Sequence, residues 1–226
     1  MRYIPKLESV SDELNMPPCL FFVRHGEAEH NPFIVQGKAE KNDELLRAGR
    51  SILNPRLTAA GRKQAQALAE ELAHSNAQFD LVVTTPLARA IETAHIAFGA
   101  VAKRFIVTPD AVETADPKLA GPQRGVSREE LTVMFPFVNE WDLSHMREEG
   151  ENANWVLSEP IEPVEPSGGK CGAAYINPVD VAERIGPLAA WLNQLPEQRV
   201  VVVGHSGVFD KLLGKQMKVR ATCPGL

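Results

Sequence analysis

The chain is expected to fold as an α/β three-layer sandwich, with a mostly parallel central sheet flanked by helices and an inserted cap region. Two observations carry this expectation. Four short runs, at residues 20–23, 81–83, 105–107 and 200–203, are nearly continuous in large or β-branched apolar residues. Strands of a parallel sheet covered on both faces read this way, whereas half-exposed strands alternate. Segments with apolar residues at helical spacing fall between and after these runs, so strands and helices alternate along the chain.

The run at 20–23 opens the sheet and hands the tetrapeptide Arg24-His25-Gly26-Glu27 to its edge. Residues 29–56 are polar without a clean period, which predicts a long functional loop with room for one short helix. Thr58 is a good N-cap for a helix carrying Ala65, Leu68, Ala69 and Leu72 on one face. Beyond the second strand, Thr85 and Pro86 read as N-cap and first helical residue, leading into Ala90, Ile91 and Ala94. Past the third strand, residues 114–169 contain Trp141, Trp155, a short helical stretch at 128–135 and a Pro-rich segment at 159–169, with no strand signal. An insertion of that length predicts a substrate cap or lid. Asn177 and Pro178 repeat the capping device before Val181, Ile185, Leu188, Leu192 and Leu195, with Pro187 expected to kink or split the helix. The fourth strand and a helix at 208–218 close a single domain spanning 1–226, interrupted by the cap.

Composition narrows the class. With 226 residues and 44% hydrophobic content the chain can bury a substantial core. Its net charge of −5 favours no nucleic-acid partner, so any anion site must be a local concentration of positive charge. Cys19, Cys171 and Cys223 are few and far apart, which suits reduced thiols rather than a disulfide framework or a zinc site. Neither an apolar leader nor a membrane-length apolar run is present, so the expected location is cytoplasmic. Oligomeric state leaves no mark in the sequence.

The chemistry gathers at strand ends. Ligands of open parallel sheets sit beyond the carboxyl ends of the strands. Arg24 and His25 follow the first strand, Arg89 the second, Glu113 the third and His205 the fourth. Arginine in the first turn of a helix is mildly disfavoured by the helix dipole, a cost that a bound anion reverses. Gly204-His205-Ser206-Gly207 could be taken for a serine-hydrolase elbow, but no histidine follows it to complete a triad. A metal site built from His25, His205, Glu113 and Glu27 lacks any local ligand pair and would set two arginines beside a cation. His30, His74, His95 and His145 are expected to be exposed or structural, with His30, close to the candidate site, the leading exception.

These residues resemble the histidine phosphatase superfamily, also called phosphoglycerate mutase-like. Arg24-His25-Gly26-Glu27 with Asn31 is similar to its signature, and Leu57-Thr58 with Gly61, Gln64 and Ala65 to its second segment. Thr85-Pro86-Leu87-Ala88-Arg89-Ala90 with Thr93 and Ala94 resembles the third, and Gly204-His205 the second histidine. The resemblance implies that His25 attacks a phosphoryl group to form a phosphohistidine, that Arg24, Arg89, Asn31 and His205 hold its oxygens, and that Ser206 adds a donor. Glu113 would be the general acid, with Asp110 or Asp116 as substitutes. It implies no cofactor and no metal, and a small phosphorylated substrate or a phosphoprotein. Two departures stand out: Glu113 is followed by Thr-Ala-Asp-Pro rather than the mutase run, and Ser206 stands where the acid-phosphatase branch has aspartate. A phosphoglycerate mutase-type transfer, or a catalytically weak phospho-ligand binding or scaffold protein, are the alternatives. Lys118, Arg124 and Arg128 are candidates for a second phosphate or carboxylate.

Overall fold

The computed structural model describes residues 18–113, 125–146 and 178–214, with backbone only for 178–183. All four expected strands form: β1 (Cys19–Arg24), β2 (Leu81–Thr84), β3 (Phe105–Val107) and β4 (Arg199–Gly204). They make one wholly parallel sheet in the order β1-β4-β2-β3. The α/β class and the parallel sheet are as expected. Side chains alternate between two apolar layers. Leu81, Val83, Val200 and Val202 pack with Ile185, Leu188, Leu192, Val208 and Leu212 on one face, while Val82, Val201 and Val203 pack with Leu72, Ala90, Ala94 and Phe98 on the other.

The helices behind those layers are α3 (Ala59–His74) and α4 (Ala88–Phe98) on one side, and α6 (Pro178–Asn193) and α7 (Ser206–Gly214) on the other. Thr58 caps α3 as expected, accepting from Gly61 N. The expected cap of α4 is displaced. The helix begins at Ala88 rather than Pro86, with Leu87 at the N-cap position. Asn54 Oδ1 accepts from Ala88 N at 3.0 Å, while Thr85 Oγ1 accepts from Leu87 N at 3.4 Å, one residue ahead of the helix. Pro187 neither splits nor ends α6, which runs through it as one helix. Residues 215–218 of the expected closing helix lie outside the described residues, as does Asn177.

Residues 29–56 form a helical hairpin rather than a loop: α1 (Asn31–Glu40) and α2 (Asp43–Ser51). Asn42 caps α2 by accepting from Glu44 N and Leu45 N. Two glycines allow the helices to touch. A Cβ on Gly37 would come within 2.9 Å of the Leu46 side chain, and one on Gly49 within 2.8 Å of Phe33 Cβ.

Part of the expected cap belongs to the body. Ser127 and Glu130 close a capping box on α5 (Arg128–Met134), and a 3₁₀ turn follows at Pro136–Glu140. Leu131, Phe135, Val138 and Leu143 are buried against Ala88, Ile91 and Val107. Residues 114–124 and 147–169, including Asp116, Lys118, Arg124 and Trp155, lie outside the described residues. One thiol corrects the sequence reading: Cys19 is disulfide-bonded, not reduced. Cys171 and Cys223 lie outside the described residues. No helix among the described residues is long and apolar enough to cross a membrane.

Candidate active site

Parallel register places the key side chains. β1 pairs with β4 so that Arg24 lies opposite Gly204, and the ladder continues with His25 N donating to Gly204 O at 3.0 Å. His25 and His205 therefore leave adjacent strands at the same level, with ring centroids 5.1 Å apart. β2 supplies Thr85 one residue past its end, and Thr85 Oγ1 meets His205 Nε2 at 3.0 Å. The hydroxyl expected to cap α4 thus serves a histidine 120 residues away.

His25 is 7% exposed, and its hydrogen bonds fix its tautomer. Nδ1 lies 2.7 Å from the Gly26 carbonyl, which only accepts, so Nδ1 carries the proton. Nε2 keeps its lone pair and accepts from Arg89 Nε at 3.2 Å. Arg89 is buried at 1% exposure, and burial lowers its pKa to about 10, partly offset by the charge of Glu113. His25 is pushed down to about 2, first by burial, then by Arg89, against the opposing Gly26 hydrogen bond. His205 is lowered well below its ordinary value by burial and Arg89. Neutral imidazoles thus sit beside guanidiniums. Arg24 ends β1 exposed at the rim, with no carboxylate paired to it among the described residues.

Three sequence segments interlock to hold the loop after β1. Gly26 N donates to Thr93 Oγ1, and Glu27 N to Gln64 Oε1. Thr58 donates from its backbone to Glu27 O and from its hydroxyl to Glu27 Oε1. A Cβ on Gly61 would lie 2.0 Å from Glu27 O, so only glycine fits there. Glu92, 7% exposed, accepts from Leu57 N, Arg56 and Arg62 and clamps the second segment to α4. Glu92, Thr93, Gln64 and Thr85 were not singled out as site residues from the sequence. Their signal was inclusion in the resembling segments, but their partners are distant in the chain.

Glu113 joins the cluster from the turn after β3. Its Oε2 accepts from Gly207 N at 3.4 Å, which sets it at the start of α7, and its charge is felt by Arg89. Arg184 on α6 steadies that turn by donating to the carbonyls of Pro109, Asp110 and Val112. Asp110 is exposed and turned to Thr108. Ser206 is exposed as the first residue of α7. Asn31 is tied into its own loop. Its Oδ1 accepts from Ala28 N at 2.8 Å, and its Nδ2 lies 3.1 Å from His30 Nε2. Arg128, His74, His95 and His145 are exposed.

Chemically, the arrangement offers one lone pair, two guanidiniums and a carboxylate around a point at the sheet edge. Among the described residues no group of three or more His, Cys, Asp or Glu side chains is placed to hold a metal ion. A cavity of about 410 Å³ elsewhere, lined by His95, Lys103, Phe137 and Trp141 among others, contains none of these residues.

Comparison with known proteins adds the family. No curated protein sequence matches the chain. Among solved structures it is similar to the alpha-ribazole phosphatase of Shigella flexneri, at 19% identity over 88% of this chain and 81% of that one, with a TM-score of 0.48. It is also similar to a mycobacterial glucosyl-3-phosphoglycerate phosphatase, at 22% identity over 86% and 78%, with a TM-score of 0.44. The model of the histidine phosphatase superfamily (branch 1) matches residues 20–159, a stretch that carries Arg24, His25, Asn31, Arg89 and Glu113. That match spans more than half of the sequence, and the chain belongs to branch 1 of the histidine phosphatase superfamily, a phosphoric monoester hydrolase by class.

Proposed function

We propose that the chain hydrolyses a phosphomonoester without a metal, through a phosphohistidine on His25 Nε2. The observation that carries this reading is the His25 tautomer: Nδ1 is spent on Gly26 O, and the remaining lone pair faces Arg89. Because the ring is neutral far below pH 7, it needs no deprotonation before attack.

In the first step Nε2 forms a bond to phosphorus while the bond to the leaving oxygen breaks. The electron pair departs with that oxygen, and Glu113, entering the step in its protonated form, delivers the proton that neutralises it and is left as the carboxylate. In the second step Glu113 takes a proton from water, the resulting oxygen attacks phosphorus, and the N–P bond breaks to restore His25 and release phosphate. Arg89 and Arg24 offset the charge on the phosphoryl oxygens, each such contact being worth about 10²–10³ in rate. His205 contributes from Nδ1, which is buried without a partner among the described residues. The Thr85 hydroxyl can donate to Nε2, a pairing that leaves the ring's proton on Nδ1 for a phosphoryl oxygen.

Leaving-group dependence tests this assignment. Glu113→Gln is expected to slow an alkyl phosphate by about 10²–10⁴-fold and an aryl phosphate with a good leaving group by much less. Wild-type turnover should survive a chelator. Equal slowing of both substrates would remove Glu113 from the acid role. No turnover by folded protein across a broad phosphoester panel would remove the phosphatase reading.

A further inference from the structure

One histidine beside the site has an orphaned nitrogen whose protonation the structure determines. His30 occupies the N-cap position of α1, yet its side chain makes no capping hydrogen bond. His30 is 9% exposed, and its ring centroid lies 6.4 Å from that of His25. A chain of hydrogen bonds sets its tautomer. Ala28 N can only donate, so the Asn31 atom it meets is the carbonyl oxygen. The Asn31 amide nitrogen therefore faces His30 Nε2 and can only donate to it. His30 Nε2 is the acceptor, and the proton of the neutral ring resides on Nδ1. Nδ1 is buried without a partner among the described residues.

A buried N–H left without an acceptor is costly, and native structures rarely keep one without a use. Arg24 and Arg89 both act electrostatically on this ring, which locates it in the same field as the nucleophile. The centroid separation of 6.4 Å is within the reach of one phosphoryl group, its phosphorus approaching the His25 ring and one of its oxygens the His30 ring. We propose that His30 is a further substrate-binding residue, donating its Nδ1–H to an oxygen of the phosphoryl group held at His25. The inference rests on the phosphatase reading of this site. It gives Asn31 a specific task beside its expected contact with phosphate, since its amide fixes the tautomer of the histidine next to it. His30 brings no charge of its own, so the pocket gains a donor without adding a third cation beside Arg24 and Arg89.

Two substitutions separate binding from scaffolding. His30→Gln keeps an acceptor near the Nε2 position for Asn31 but has no donor at the Nδ1 position. His30→Asn does the reverse, placing an amide N–H near Nδ1 and abandoning Asn31. With an aryl phosphate as substrate and orthovanadate as inhibitor, His30→Gln is expected to lower kcat/KM and raise the inhibition constant by about 10- to 100-fold. His30→Asn should recover at least tenfold of that loss. The inference is overturned if His30→Asn is as impaired as His30→Gln or worse, or if neither is impaired. In wild-type protein with ¹⁵N-labelled histidine, the His30 Nδ1–H resonance should shift on adding orthovanadate, and an unmoved resonance would also overturn it. Wild-type turnover and vanadate inhibition keep the two ideas apart. If both are present and His30→Gln is harmless, only the role of His30 falls; if both are missing, the phosphatase reading falls with it.

Discussion

Replacing His25 by asparagine is expected to cut kcat by about 10⁶-fold, the scale on which hydrolases lose rate with their nucleophile. Asparagine is the informative substitution because its amide can still donate to Gly26 O, the bond that Nδ1 makes at 2.7 Å. The loop should keep its shape, since Gly26 N still reaches Thr93 and Glu27 N still reaches Gln64. Only Nε2 is lost. An unchanged melting temperature with turnover at background would therefore assign the loss to chemistry. Residual turnover within tenfold of wild type would mean that phosphorus is attacked by another atom.

Acid should unfold the protein early. Burial is the first cause of depression for all three clustered histidines, with Arg89 next, and it sets His25 at about 2, His30 at about 3 and His205 well below its usual value. An unfolded chain protonates its histidines near pH 6.5, whereas the folded chain keeps these three neutral. Their depressed pKa values therefore take stability away as pH falls below 6.5, and leave it untouched above. Each such ring costs about 1.4 kcal/mol per pH unit. At pH 4.5 His25 and His30 together reach about 5 kcal/mol, a large share of the stability of an ordinary domain, and His205 acts in the same direction. Asp80 and Asp142, held below 3.8 by hydrogen bonds, lose their contribution only at lower pH, so the window from 6.5 to 4.5 isolates histidine. His95 is lowered too but is exposed, and adds little. Urea unfolding at a series of pH values checks this. A steep fall below pH 6.5 is expected, shallower by about one proton in His30→Asn, and stability that stays flat from pH 7 to 5 would contradict it.

The strands and the catalytic edge were legible because their signals are local. A run such as Val200-Val201-Val202-Val203 reads as a buried strand on composition alone, and His205 sits at its end wherever the strand lies in the sheet. The α1–α2 hairpin was not legible. Its close contact is made by Gly37 and Gly49, which carry no hydrophobic signal, while Phe33 and Val35 remain exposed. Thr85 was misread for a related reason: a threonine before proline is a good local cap, and nothing nearby tells that its hydroxyl is needed at His205. Glu92 shows the limit most plainly. A carboxylate within a helical run reads as a solvated face until Arg56, Arg62 and Leu57 N are seen to converge on it. His30 could be placed near the site from the sequence, but its free Nδ1–H emerges only from the bonds linking Ala28, Asn31 and the ring.

The central claim is that His25 Nε2 carries the phosphoryl group. Rapid mixing of wild-type protein with a radiolabelled aryl phosphate, quenched in base to preserve phosphohistidine, tests it most directly. Proteolysis and assignment of the isomer should find the label on His25, on Nε2, because Nδ1 is committed to Gly26 O. The label should be absent from His25→Asn. Label on Nδ1, label on another side chain such as Ser206, or steady turnover with no labelled protein at any mixing time would contradict the account.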